Sequence, residues 1–118
     1  MTRSKLQEVF ILGKGEIIMF IINQTLKPEK IPEGKGEELF KGHVAWFTRH
    51  FEAGDFLLVG PYTDKKMAGI MIPPAESREA VEDILKDDVY YADGMADYEV
   101  RSFTAGKIAK NFGDFAGK

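Results

Sequence analysis

Residues 37–61 read EELFKGHVAWFTRHFEAGDFLLVGP, and two elements and the break between them are written there. Phe40, Val44, Phe47 and Phe51 recur at helical spacing, which predicts a helix over Glu37 to Ala53 with this apolar stripe turned inward. Gly54 supplies the stop, because glycine takes the left-handed backbone that ends a helix without a steric penalty. Phe56 to Val59 then predicts a strand running into Gly60-Pro61.

Upstream, Ile17 to Ile22 is β-branched and aromatic, with glycines before it and Asn23 after it. A run this apolar predicts a strand buried on both faces, central in a sheet. Lys27 to Gly36 holds two prolines, two glycines and alternating charges, the composition of a mobile loop. Downstream, Ala68 to Ile72 predicts a strand that pairs back on Phe56 to Val59 through the polar turn Thr63-Asp64-Lys65-Lys66. Ser77 is placed to cap a second helix, with Glu79 near its positive end and Ala80, Val81, Ile84 and Leu85 as its buried face. Met95 to Phe103 alternates Tyr98 and Val100 with Asp97, Glu99 and Arg101, which suits an edge strand with one wet face.

Strand, helix, strand, strand, helix, strand is the order of a ferredoxin-like α+β sandwich, an antiparallel sheet with two helices on one face. The second sheet face is left uncovered. Because the first strand has large apolar side chains pointing both ways, a second subunit is the expected cover, giving a homodimer or a higher assembly. Residues 1–118 are read as a single domain with a core over about residues 16–103 and an extension at each end. The tail from Ala105, with Phe112 and Phe115 among glycines, has no clear period, so it either wraps a partner or frays.

Bulk properties narrow the function classes. The net charge of −3 offers no broad positive field for nucleic acid. With no cysteine there is no thiol nucleophile, disulfide framework or thiolate metal site. The short polar start lacks a secretory pattern and no apolar run reaches the roughly 20 residues a membrane helix needs, so a cytoplasmic protein without membrane association is expected. Neither Gly-Lys-Gly has phosphate-loop spacing, no dinucleotide fingerprint follows a strand, and no serine sits in a nucleophile elbow. No cofactor is expected.

The predicted chain crossings bring His43, Pro61-Tyr62 and Asp87-Asp88 to one end of the sheet. His43 shares a helix row with Leu39, Trp46 and His50 beside the apolar stripe, so its imidazole should be half-buried. A carboxylate on one ring nitrogen would fix the tautomer and leave the other nitrogen to exchange a proton with a ligand. Asp88 is the first choice for that carboxylate, with Asp87 and Asp64 as alternatives. Tyr90 and Tyr91 can donate a phenol or form a wall, Trp46 can stack on a planar ligand, and Tyr62 and Asp64 sit where the hairpin should turn over the cleft. Each has a plainer role as well: a core-edge histidine, an aspartate closing a helix, buried aromatics, a surface turn. A shared metal on His43 and His50 is excluded, since seven helical residues separate them by about 10 Å of rise.

The frame His43, Gly54, Gly60-Pro61, Gly69, Asp88, Tyr90 and Gly94 resembles the YCII-related family over roughly Glu16 to Phe103. The resemblance implies a dimeric α+β barrel, and a histidine and aspartate regarded as a catalytic pair, here His43 and Asp88. Val89 follows Asp88 where the family commonly has proline. The expected function is a cofactor-independent enzyme acting on a small organic molecule by proton transfer, lyase- or isomerase-like, with His43 as acid and base and Asp88 orienting it. Trp46, Tyr62, Asp64 and Tyr90 would bind the substrate. The alternatives are a non-catalytic dimeric module that binds or senses a small metabolite, and a heme or quinone monooxygenase of similar barrel shape.

Overall fold

The computed structural model describes residues 18–117. In chain order it contains β1 (Met19–Leu26), α1 (Gly36–Glu52), β2 (Leu58–Pro61), β3 (Ala68–Ile72), α2 (Arg78–Leu85) and β4 (Ala96–Phe103). The four strands form one antiparallel sheet in the order β2-β3-β1-β4, so β1 is central and β4 an edge, as their side-chain patterns predict. Ile17 and the N-terminal extension lie outside the described residues.

Strand parity assigns the faces. Ile22 pairs with Met71 on one side and Val100 on the other. Phe20, Ile22 and Met71 pack in one buried cluster with Trp46 of α1 and with Val81 and Leu85 of α2, so both helices cover the same face. Ile21, Asn23 and Thr25 point the opposite way, beside Ile70 of β3 and Glu99 and Arg101 of β4. Among the described residues no helix is long and apolar enough to cross a membrane.

Both helix boundaries follow local chemistry. Gly54 has φ +86°, the left-handed value that halts α1. Ser77 Oγ accepts the Ala80 N–H at 3.2 Å and caps α2. Pro28–Lys30 forms a single 3₁₀ turn within the segment read as loop, and a second 3₁₀ turn occupies Phe112–Phe115 in the tail.

The inward face of α1 differs from the expected one. Phe40 and Phe51 are 56% and 49% exposed, whereas Trp46 is buried and donates its indole N–H to the Ile84 carbonyl at 3.0 Å. The reason is size and geometry: one indole, packed edge-on to Phe56 with centroids 5.5 Å apart, fills the space between helix and sheet, and its N–H must find a partner there. The row Leu39, His43, Trp46, His50 is thereby turned towards the core. Phe56, expected to open β2, is buried in the core before that strand begins at Leu58.

The β2–β3 pair depends on Gly69 rather than on Gly60. A Cβ at Gly69 would lie 2.8 Å from the Gly60 carbonyl oxygen, while one at Gly60 would meet nothing within 4 Å. Gly69→Ala is expected to cost about 1–3 kcal/mol, the range for forcing atoms into a packed site. Gly60→Ala should stay within about 0.5 kcal/mol. Denaturant midpoints at unchanged slope measure both.

Candidate functional site

Just beyond α2 the chain turns on itself, with the Asp88 N–H donating to the Leu85 carbonyl at 3.0 Å and the Tyr91 N–H donating to the Asp88 carbonyl at 3.0 Å. This turn directs the Asp88 side chain inward, where none of it is exposed. A carboxylate so placed costs several kcal/mol unless donors replace its water. Three elements supply them. Asp88 Oδ1 accepts from His43 Nδ1 of α1 at 2.9 Å. Asp88 Oδ2 accepts from Gln24 Nε2 of β1 at 3.0 Å and from the Tyr98 hydroxyl of β4 at 2.7 Å.

An ionised carboxylate only accepts, so His43 Nδ1 carries the proton and Nε2 is left bare in the neutral ring. Neighbouring rings fix the orientation of that imidazole. Trp46 stacks beneath it at 5.5 Å and 27°, Phe47 meets it edge-on at 5.2 Å, and Tyr90 lies 5.1 Å away. Burial, the hydrogen bond to Asp88 and the carboxylate charge raise the Tyr98 phenol far above its usual range, which keeps it a neutral donor. Burial, and secondarily Asp88, also raise Tyr90.

His43 opens onto a cavity of about 580 Å³ between α1 and the β2–β3 hairpin. Phe40, His43 and Phe47 form the helix wall, Gln24 and Leu26 come from β1, and Val59 to Pro61 and Lys65 to Met71 come from the hairpin. Concave, mostly apolar spaces of this size with a few polar groups are where small molecules bind.

The residues singled out in the sequence divide. His43 and Asp88 come together, and Tyr62 borders the same cavity. Trp46 and Tyr90 do not reach it: each is 1% exposed and packs behind the imidazole, because both rings are needed to fill the interior. Asp64 lies instead at a second cleft, on the open sheet face with Asn23, Asp97 and Glu99, because the strand alternation that puts Pro61 on the helix side turns the next residues away. The Tyr62 hydroxyl reaches that face too and donates to Asn23 Oδ1. Asp87 faces away from His43, 3.9 Å from His50 Nε2. Tyr91 packs against Tyr98 at 5.6 Å.

Gln24 and Tyr98 are site residues that the sequence reading did not select. The signal for Gln24 was its parity: it points the same way as Ile22, and an amide on an inward position needs a buried partner. Tyr98 follows from Gln24, since the two are paired across β1 and β4. A second histidine–carboxylate pair, His50 Nδ1 to Asp55 Oδ2 at 2.7 Å, lies at the end of α1 with Trp46 between it and His43. Among the described residues no group of three histidine, aspartate or glutamate side chains is arranged to hold a metal.

Tyr98→Phe removes a donor to a buried charge and is expected to cost about 1.5–3 kcal/mol near neutral pH. A phenol held neutral in the fold but free to ionise at its usual 10.0 once unfolded favours the native state fully below pH 10, and that contribution declines as pH rises further. Tyr98→Phe should therefore make the loss of stability above pH 10 shallower, by up to about 1.4 kcal/mol per pH unit. Urea unfolding between pH 9 and 11 reads both effects.

In overall architecture the chain is similar to 5-chloro-2-hydroxyhydroquinone dehydrochlorinase (TftG) from Burkholderia phenoliruptrix AC1100, solved in complex with 2,5-dihydroxybenzoquinone. The TM-score is 0.55 at 17% identity, covering 70% of this chain and 90% of that one. SnoaB, a cofactor-independent oxygenase from Streptomyces nogalater, matches with a TM-score of 0.44 at 17% identity over 81% of this chain and 99% of its own. No curated protein sequence matches the chain. The likeness to TftG is one of fold alone, a four-stranded antiparallel sheet with two helices. The YCII-related domain matches residues 18–104, which is most of the chain, and the chain belongs to that family.

Proposed function

We propose that this chain is an enzyme for a small organic molecule, working by proton transfer without a bound cofactor. The observation that carries the reading is the 2.9 Å bond from His43 Nδ1 to a fully enclosed Asp88, beside a cavity that His43 lines. Nε2 would take a proton from a carbon or oxygen of the guest, and Asp88 would stabilise the imidazolium formed. Returning that proton to another atom of the same guest completes an isomerisation. Delivering it to a departing group, as the electron pair left on the substrate forms a new double bond, completes an elimination. Either sequence restores the neutral ring.

Around this pair the roles are graded by position. Tyr62 would border the guest, Trp46 and Tyr90 would hold the imidazole from behind, and Asp64 would act only if the second cleft takes part. Gln24 and Tyr98 would be positioning residues, acting on the guest through Asp88 and His43. A second copy of the chain covering the open sheet face belongs to the same proposal, supported by the half-buried Ile21, Leu58, Ile70 and Ile72 there.

The chemical test is hydrogen exchange from small carbon acids in deuterated water, followed by proton NMR, with turnover measured on any compound that exchanges. His43→Gln is expected to fold normally and to lose about 10²–10⁴-fold in rate. Full turnover by a folded His43→Gln protein rejects the assignment, and a compound that binds reversibly but is never exchanged or transformed favours a metabolite-binding module. Sedimentation should give twice the mass of one chain, and a persistent monomer at high concentration contradicts the second-copy reading.

A further inference from the structure

Resting on the reading of this cavity as the substrate site, we infer that its substrate is a small organic anion, with its apolar, flat part along Phe40 and Phe47 and its charge towards Lys65 and Lys66. The formal charges around the cavity are one-sided. Among the described residues Lys65 and Lys66 line it, no aspartate or glutamate does, and Asp88 is sealed behind His43. This is unexpected in a chain of net charge −3. Asp64, Asp97 and Glu99 gather instead at the cleft on the other sheet face, with Lys65 at the boundary between the two. Among the described residues neither Lys65 nor Lys66 enters an ion pair, so both ammonium groups are available to a guest.

Exposed apolar side chains face the same cavity. Phe40 and Met67, on opposite walls, are 56% and 46% exposed, and a guest between them would remove both surfaces from water. Met67 holds its place in an unfavourable conformation. Its φ of +57° is in the left-handed region, which costs a non-glycine residue about 1–2 kcal/mol, and the Leu26 N–H donating to its carbonyl at 2.9 Å fastens it to β1. The corner carrying Lys65, Lys66 and Met67 is thus held against the cavity instead of being left as a free hairpin tip.

The chemistry joins the two halves. Removing a proton from a carbon beside a carboxylate or ketone leaves an enolate with one more negative charge than the substrate had. Fixed ammonium groups near a developing anion stabilise it more than they stabilise the starting compound. Two lysines would therefore serve recognition and rate together, and a neutral guest of the same shape would have less to gain from either.

Binding probes test the charge inference without any turnover. On the full chain at low salt, 2-naphthoate should bind about tenfold or more tightly than 2-naphthamide, its neutral counterpart of the same shape, and the preference should shrink as salt is raised. The double variant Lys65→Ala with Lys66→Ala, at exposed positions outside the core, should lose that preference while keeping its affinity for 2-naphthamide. Phe40→Ala should weaken both probes alike. Equal affinities for acid and amide, an unchanged preference in the double variant, or no binding of either probe overturns the inference. His43→Gln should retain the preference, so full proton exchange by that variant with the preference intact counts only against the acid–base reading, and absence of the preference in the unsubstituted chain, with its exchange dependent on His43, counts only against this one.

Discussion

A carboxylate with no exposed surface is the constraint around which this protein is arranged. Asp88 needs donors wherever it is buried, and it draws one each from α1, β1 and β4. The turn after α2 that carries it is thereby tied to the helix that precedes β2 and to two neighbouring strands. Removing any donor leaves a charge short of a partner in a poorly solvated place, and the remaining donors lose their common acceptor. Fold and site are therefore not separable here, because the bonds that hold the last β-strand to the helix layer are also those that orient His43.

The cavity exists because of what the adjoining elements omit. Gly69 has no side chain at the point where β3 passes the Gly60 carbonyl, so the hairpin lies close against itself and leaves room above. Trp46 and Phe56 take the central space under α1, which leaves Phe40 and Phe47 on the flank. A helix rotated to bury the full phenylalanine stripe would have closed this space and swung His43 away from Asp88.

Much of the architecture was legible in the sequence. The six elements, their order and the central place of β1 followed from periodicity, Gly54 and Ser77, since these are local signals that tertiary packing did not override. The helix face was misjudged because counting apolar residues gives four phenylalanine or valine positions more weight than one tryptophan, whereas area and the need to satisfy an indole N–H reverse that order. His43 and Asp88 were legible as a pair only through chain crossings and the resemblance to the YCII-related family. Gln24 and Tyr98 were hidden because an isolated glutamine or tyrosine in a strand says nothing until register places the two side by side.

The central claim is that Asp88 holds the proton of a neutral His43 on Nδ1 and leaves Nε2 free. Long-range proton–nitrogen NMR correlations of the His43 ring test it most directly, assigned by comparison with His43→Gln. The structure predicts a protonated Nδ1, with its hydrogen shifted downfield and slow to exchange, and an unprotonated Nε2 whose signal moves when a ligand enters the cavity. A proton resident on Nε2, or a ring averaging freely between both tautomers, would contradict it.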